Sequence, residues 1–101
     1  MTRHACRRDL PDPRVFGDAL NYHEELSAVI RETVRQHEKF GTQSLTLFDW
    51  HCILSEEVGE VARAINEEHF DDGNLDAVYR ECIQVAAVAV HMAAVIREAG
   101  E

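Results

Sequence analysis

Glu56-Glu57-Val58-Gly59-Glu60, with Glu81-Cys82-Ile83-Gln84 about two dozen residues later, is the stretch from which the fold can be read. Both segments fall inside strongly helical patterns, yet both put acids where a helix should bury apolar side chains. Residues three apart on a helix share a face, so Glu57 and Glu60 point one way, and Glu81 and Gln84 do the same. Carboxylates gathered on one face repel by roughly a few tenths of a kcal/mol per exposed pair, and by more where partly buried. A chain that collects them has reason to bind a cation.

The helix around the first segment is expected to start at a Thr46 or Ser44 cap and to reach about His69. Leu47, Trp50, Leu54, Val58, Val61 and Ile65 make its core stripe, close to a heptad pattern, and Ile53, Glu57, Glu60 and Ala64 make a narrower second one. At ~100° per residue, Glu57 lies about 20° from Trp50 and about 40° from Ile53, at the edge of the buried face. Upstream, Asp18 is placed to cap a helix running to about Phe40, with Leu26, Val29, Ile30, Thr33, Val34 and His37 as its apolar stripe. Gly41 reads as its stop, and Lys39 suits the helix dipole in the last turn.

Downstream, Phe70-Asp71-Asp72-Gly73-Asn74 reads as a turn, with Asp72 or Asn74 capping a third helix from about Leu75 to Glu98. That helix is apolar almost all round, which predicts burial on every side. Three helices in 101 residues cannot enclose it. The expected fold is therefore all-α: a bundle of three main helices per chain, completed by homo-oligomerisation, most simply about a two-fold axis. Glu81, set among Ala77, Val78, Val85 and Val88, must then be paired, protonated or on a metal.

Composition narrows the function. The net charge is -9, from 10 basic and 19 acidic residues. Arg3, Arg7, Arg8 and Arg14 cluster near the start, leaving six basic against seventeen acidic residues beyond position 16. Such a body repels nucleic acid polymers and anionic membranes, so neither is an expected partner. Residues 1–16, with both prolines, read as a basic, flexible or loosely docked arm, and 17–101 as one helical domain. Cys6, Cys52 and Cys82 show no CxxC spacing and read as reduced thiols of a cytoplasmic protein. The apolar run Cys82–Ile96, interrupted by Gln84 and His91, is read as too short for a membrane span. P-loop, GxSxG and CxxC motifs are absent from the sequence.

Together these features resemble the MazG-like all-α nucleoside triphosphate pyrophosphohydrolases, whose signature is EExxE on one helix and ExxD on the next. Glu56-Glu57-Val58-Gly59-Glu60 completes the first half, within Trp50–Ser55 and Val61–Ala64. Glu81-Cys82-Ile83-Gln84, before the run Val85–Val90, is similar to the second, and Arg35–Gly41 to the end of the family's first helix. The resemblance spans roughly residues 22–98. It implies a dimer or a dimer of dimers (a tetramer) built of four-helix units, and Mg²⁺-dependent hydrolysis of an NTP or dNTP to the monophosphate and pyrophosphate, with Mn²⁺ a possible substitute. It further implies Glu57, Glu60 and Glu81 as metal ligands, and Glu56 as an acid that orients or deprotonates the attacking water. Gln84 stands where the pattern has Asp: an amide oxygen can still ligate Mg²⁺ but brings no charge, so weaker metal affinity is expected.

Trp50 reads as core or as a wall of a base pocket, and Gln36 and Lys39 as base or phosphate contacts or plain surface. Arg63 and Arg80 read as phosphate contacts or as salt bridges to the acids. His91 reads as an interface or core histidine, and the His and Cys spacing matches no zinc pattern. The rival readings are a related dUTP, dCTP or phosphoribosyl-ATP pyrophosphohydrolase, and a catalytically weak helical module that binds nucleotides or scaffolds a partner.

Overall fold

The computed structural model describes residues 22–41, 44–71 and 75–100. The basic arm 1–16, the Asp18 cap and the Asp72 and Asn74 caps fall outside the described residues. Three α-helices follow one another, α1 His23–Phe40, α2 Leu47–Asp71 and α3 Leu75–Gly100, with no strand among the described residues. The all-α, three-helix architecture is thus as the sequence predicts.

Local chemistry sets the helix ends. At the start of α2, Thr46 and Asp49 bond reciprocally: the Asp49 amide donates to Thr46 Oγ1 at 3.1 Å, and the Thr46 amide to Asp49 Oδ2 at 3.0 Å. This capping box selects Thr46 over Ser44. At the end of α1, Gly41 has φ of 69°, and its N–H donates to the His37 carbonyl at 2.7 Å. A side chain is rarely tolerated at that φ, which is why glycine stops the helix there. One boundary differs from expectation: α2 continues through Phe70 and Asp71, where the sequence suggested the turn had begun.

The central element is α3, which packs against both α1 and α2, whereas α1 and α2 make no close backbone approach to each other. A hydrogen bond from Tyr79 Oη to Glu25 Oε2 at 3.3 Å also ties α3 to α1. The buried apolar side chains among the described residues are Ala64, Ala87 and Val88. Much of the expected core is instead exposed. On α2, Ala64 is buried, Glu57 and Ile53 of the narrower stripe and Trp50, Leu54 and Val61 of the core stripe are half-buried, and Leu47, Val58 and Ile65 are exposed. On α1 Leu26, Ile30, Val34 and His37 are exposed, and Glu25, Ala28, Val29, Glu32, Thr33 and Gln36 are half-buried.

These are corrections to the assigned stripes, and they share one cause. Periodicity marks which residues form an apolar stripe but not which partner covers it. Within one chain α3 is not enclosed, as expected for three helices: Leu75, Tyr79, Val90, Val95 and Ile96 are exposed. As a continuous helix, α3 is long and apolar enough by length and composition to cross a membrane, a test that the core helix of a soluble protein also passes.

Candidate functional site

Turning its acidic stripe inward brings α2 against the polar side of α3. There Gln84 lies between two carboxylates. Ionised carboxylates only accept hydrogen bonds, so the amide nitrogen must be the atom that faces them. So oriented, it donates to Glu81 Oε1 at 3.1 Å and to Glu57 Oε2 at 3.2 Å. The structure thereby joins three of the residues singled out from the sequence, Glu57, Glu81 and Gln84.

Glu57 carries the strain of the arrangement. Burial pushes its carboxyl above the usual range, and the neighbouring Glu81, Glu60, Glu32 and Glu56 push the same way. The other two acids of the motif are placed differently. Glu60 Oε2 accepts from Arg63 at 2.7 Å, one turn along the same helix, and Glu56 is exposed.

Beside the amide bridge opens a cavity of about 660 Å³, lined in part by Trp50, Ile53, Glu57, Gln84 and His91. Trp50 and His91 stack, with ring centroids 6.3 Å apart and planes 23° from parallel. The ring of His91 is fixed by a hydrogen bond to the Thr33 carbonyl at 3.2 Å. A carbonyl only accepts, so Nε2 of a neutral His91 must carry the proton. The cavity is therefore lined by a stacked aromatic pair and by two members of the carboxylate–amide bridge, Glu57 and Gln84. Such a shape suits a ligand with a planar ring and a polar, cation-associated tail.

Of the substrate-contact candidates, Gln36, Lys39 and Trp50 line this cavity. Arg63 does not, being engaged with Glu60, and Arg80 lies instead in a small depression with Glu32 and Gln84. For Arg63 the structure shows the salt bridge to an acid of the motif that was one of its two readings. Sequence reasoning missed Glu32 and Arg35 of α1 and underrated His91. The signal for the first pair was present, since Glu32, Arg35 and Gln36 stand at i, i+3 and i+4.

Among the described residues, no three His, Cys, Asp or Glu side chains converge as a ready metal cage. What is assembled is a pair of carboxylates with an amide whose oxygen can face them if it turns. Magnesium commonly takes one or two carboxylates, keeps several waters and shares phosphate oxygens, so this donor set fits it in the presence of a polyphosphate. Cys52 and Cys82 are free thiols. Comparison with models of known families, with curated proteins and with solved structures finds no match.

Proposed function

We propose that the chain is a Mg²⁺-dependent nucleoside triphosphate pyrophosphohydrolase, similar to the MazG-like enzymes, that removes unwanted nucleotides from the pool. The observation that carries this reading is the Glu57–Gln84–Glu81 bridge at the edge of a cavity walled by the Trp50–His91 stack. Bound there, Mg²⁺ would neutralise phosphate charge and polarise the phosphorus under attack. Glu57 and Glu81 would hold the ion, with Glu60 available if it left Arg63, and Gln84 could offer its amide oxygen by turning. Glu56, on the solvent side, receives the proton of the attacking water. The aromatic stack takes the base, and the cavity orients the nucleotide so that water meets the phosphorus in line with the departing pyrophosphate.

A second copy of the chain is part of the proposal. Leu26, Ile30 and Val34 of α1, Leu47, Val58 and Ile65 of α2, and Val90 and Ile96 of α3 are all exposed. Each such side chain buried contributes about 1.5–3 kcal/mol, and a two-fold axis would cover the same faces on both copies. The proposal is thus of a cytoplasmic dimer or tetramer. Extraction without detergent and sedimentation as a multimer is the expected behaviour. Recovery only with membranes would transfer α3 to a bilayer and overturn this part.

The decisive test is pyrophosphate release from a panel of ordinary and modified NTPs and dNTPs with Mg²⁺ or Mn²⁺, run beside Glu57→Gln. Metal-dependent release that vanishes in the variant supports the enzyme. A second reading, a nucleotide-binding or scaffold module, is favoured by one feature: Gln84 satisfies Glu57 and Glu81 without any cation. Nucleotide binding with no release by a folded oligomer would select it.

A further inference from the structure

Away from both acidic motifs, Glu32 of α1 accepts from three donors. Arg35 Nε reaches Oε1 at 2.9 Å and Arg35 Nη2 reaches Oε2 at 2.6 Å, the forked pairing, and Gln36 Nε2 reaches Oε2 at 3.0 Å. An exposed i,i+3 pair would mean little. Here the Glu32 side chain is only 13% exposed, against 53% for Arg35. The acid is thus held under the base, and Arg35 holds its carboxyl below the usual range, with a smaller contribution from Gln36.

Both residues that Glu32 holds line the main cavity, and Arg35 is the arginine there, since neither Arg63 nor Arg80 reaches it. Glu57 is close enough to stabilise the Arg35 charge, though less than Glu32 does. The guanidinium therefore stands at the same cavity as the carboxylate–amide bridge. The fork uses one hydrogen of Nε and one of Nη2, so the Nη1 hydrogens and the second on Nη2 are not engaged by Glu32. A guanidinium held in this way can take a phosphate oxygen without letting go of its carboxylate. In a chain with a net charge of -9, a polyanion needs such a fixed positive group to enter.

We propose that Arg35 is the phosphate-contacting residue of the cavity, and that Glu32 is a positioning residue holding Arg35 and Gln36 in place for the polyphosphate chain of a nucleotide. The proposal rests on the nucleotide reading above and places anion recognition on α1, outside both acidic motifs. The phosphates lie between Arg35 and Glu57, and the cavity extends from them to the Trp50–His91 wall.

The test is calorimetric titration of the full chain with inorganic tripolyphosphate and Mg²⁺, with melting curves to establish folding. Arg35→Ala is expected to weaken binding about ten-fold or more, and Arg35→Lys to recover only part of it. Glu32→Gln should weaken binding several-fold, an effect that a purely structural Glu32 would not produce in a variant that melts like the parent. Binding retained within two-fold by folded Arg35→Ala, yet lost in Glu57→Gln, overturns this proposal and leaves the hydrolase reading standing. Absence of binding in every chain, the parent included, overturns both.

Discussion

Glu32 on α1 and Glu57 on α2 are both half-buried glutamates facing α3, and they have opposite surroundings. Glu32 is met by donors from its own helix, and Arg35 holds its carboxyl low. Glu57 is met by burial and by four other acids, and its carboxyl is pushed up. Its relief is the Gln84 amide, which it shares with Glu81. The first carboxylate meets a guanidinium of its own helix, whereas the second meets a neutral amide amid four acids. Burial alone does not distinguish two such acids; the sign of their surroundings does.

The largest expected effect tests Glu57 directly. Glu57→Gln should lower metal-dependent pyrophosphate release about a hundred-fold or more, while raising the melting temperature of the metal-free chain because a repelled charge is removed. A variant that is inactive and also less stable would show that Glu57 is a structural acid after all.

Next comes Gln84→Asp, which replaces a double donor by another carboxylate. The metal-free chain should lose about 1 kcal/mol, or about 4–8 °C in melting temperature, and the stabilisation by Mg²⁺ should grow beyond that of the parent. An unchanged melt in chelator would remove the amide bridge from the account.

Acidity should separate the two glutamates more gently. Glu57 has a raised folded pKa, so its unfavourable charge is relieved as pH falls from neutral through that raised value, and stability rises. Glu32 has a lowered one, so its contribution is present above the ordinary glutamate pKa and lost as pH falls through the lowered value. Urea midpoints of the metal-free chain between about pH 7 and pH 3 should therefore climb and then drop. Glu57→Gln should flatten the upper limb and Glu32→Gln the lower. Smallest of all is Arg63→Ala: its exposed pair with Glu60 should contribute less than about 0.5 kcal/mol to the melt. A larger loss would place Glu60 with Glu32 among the acids completed by their own helix.

Much of this could be read before any coordinates. Gly41 and Thr46 marked their helix ends, and the wheel angle of Glu57 marked it as an acid at a buried edge. The convergence of Glu57, Glu81 and Gln84 followed from two helices offering polar residues at a three-residue spacing. What the sequence could not specify was the rotation of each helix. On α2 the apolar stripe is real, but only its Trp50, Leu54 and Val61 side is half-buried while Leu47, Val58 and Ile65 stay exposed, and Glu57, held by an amide, and small Ala64 are turned inward. Periodicity reports hydrophobicity, and rotation is decided by which partner is in reach. Arg35 escaped notice for a related reason: its cavity exists only once α1 and α2 both pack on α3.

The shared cavity has a mechanical consequence. Since α1 and α2 each pack on α3 without a close backbone approach to each other, the cavity is where side chains of the two helices come together. A molecule spanning from Arg35 to Trp50 would tie α1 to α2, so amide exchange in both helices should slow together when it binds.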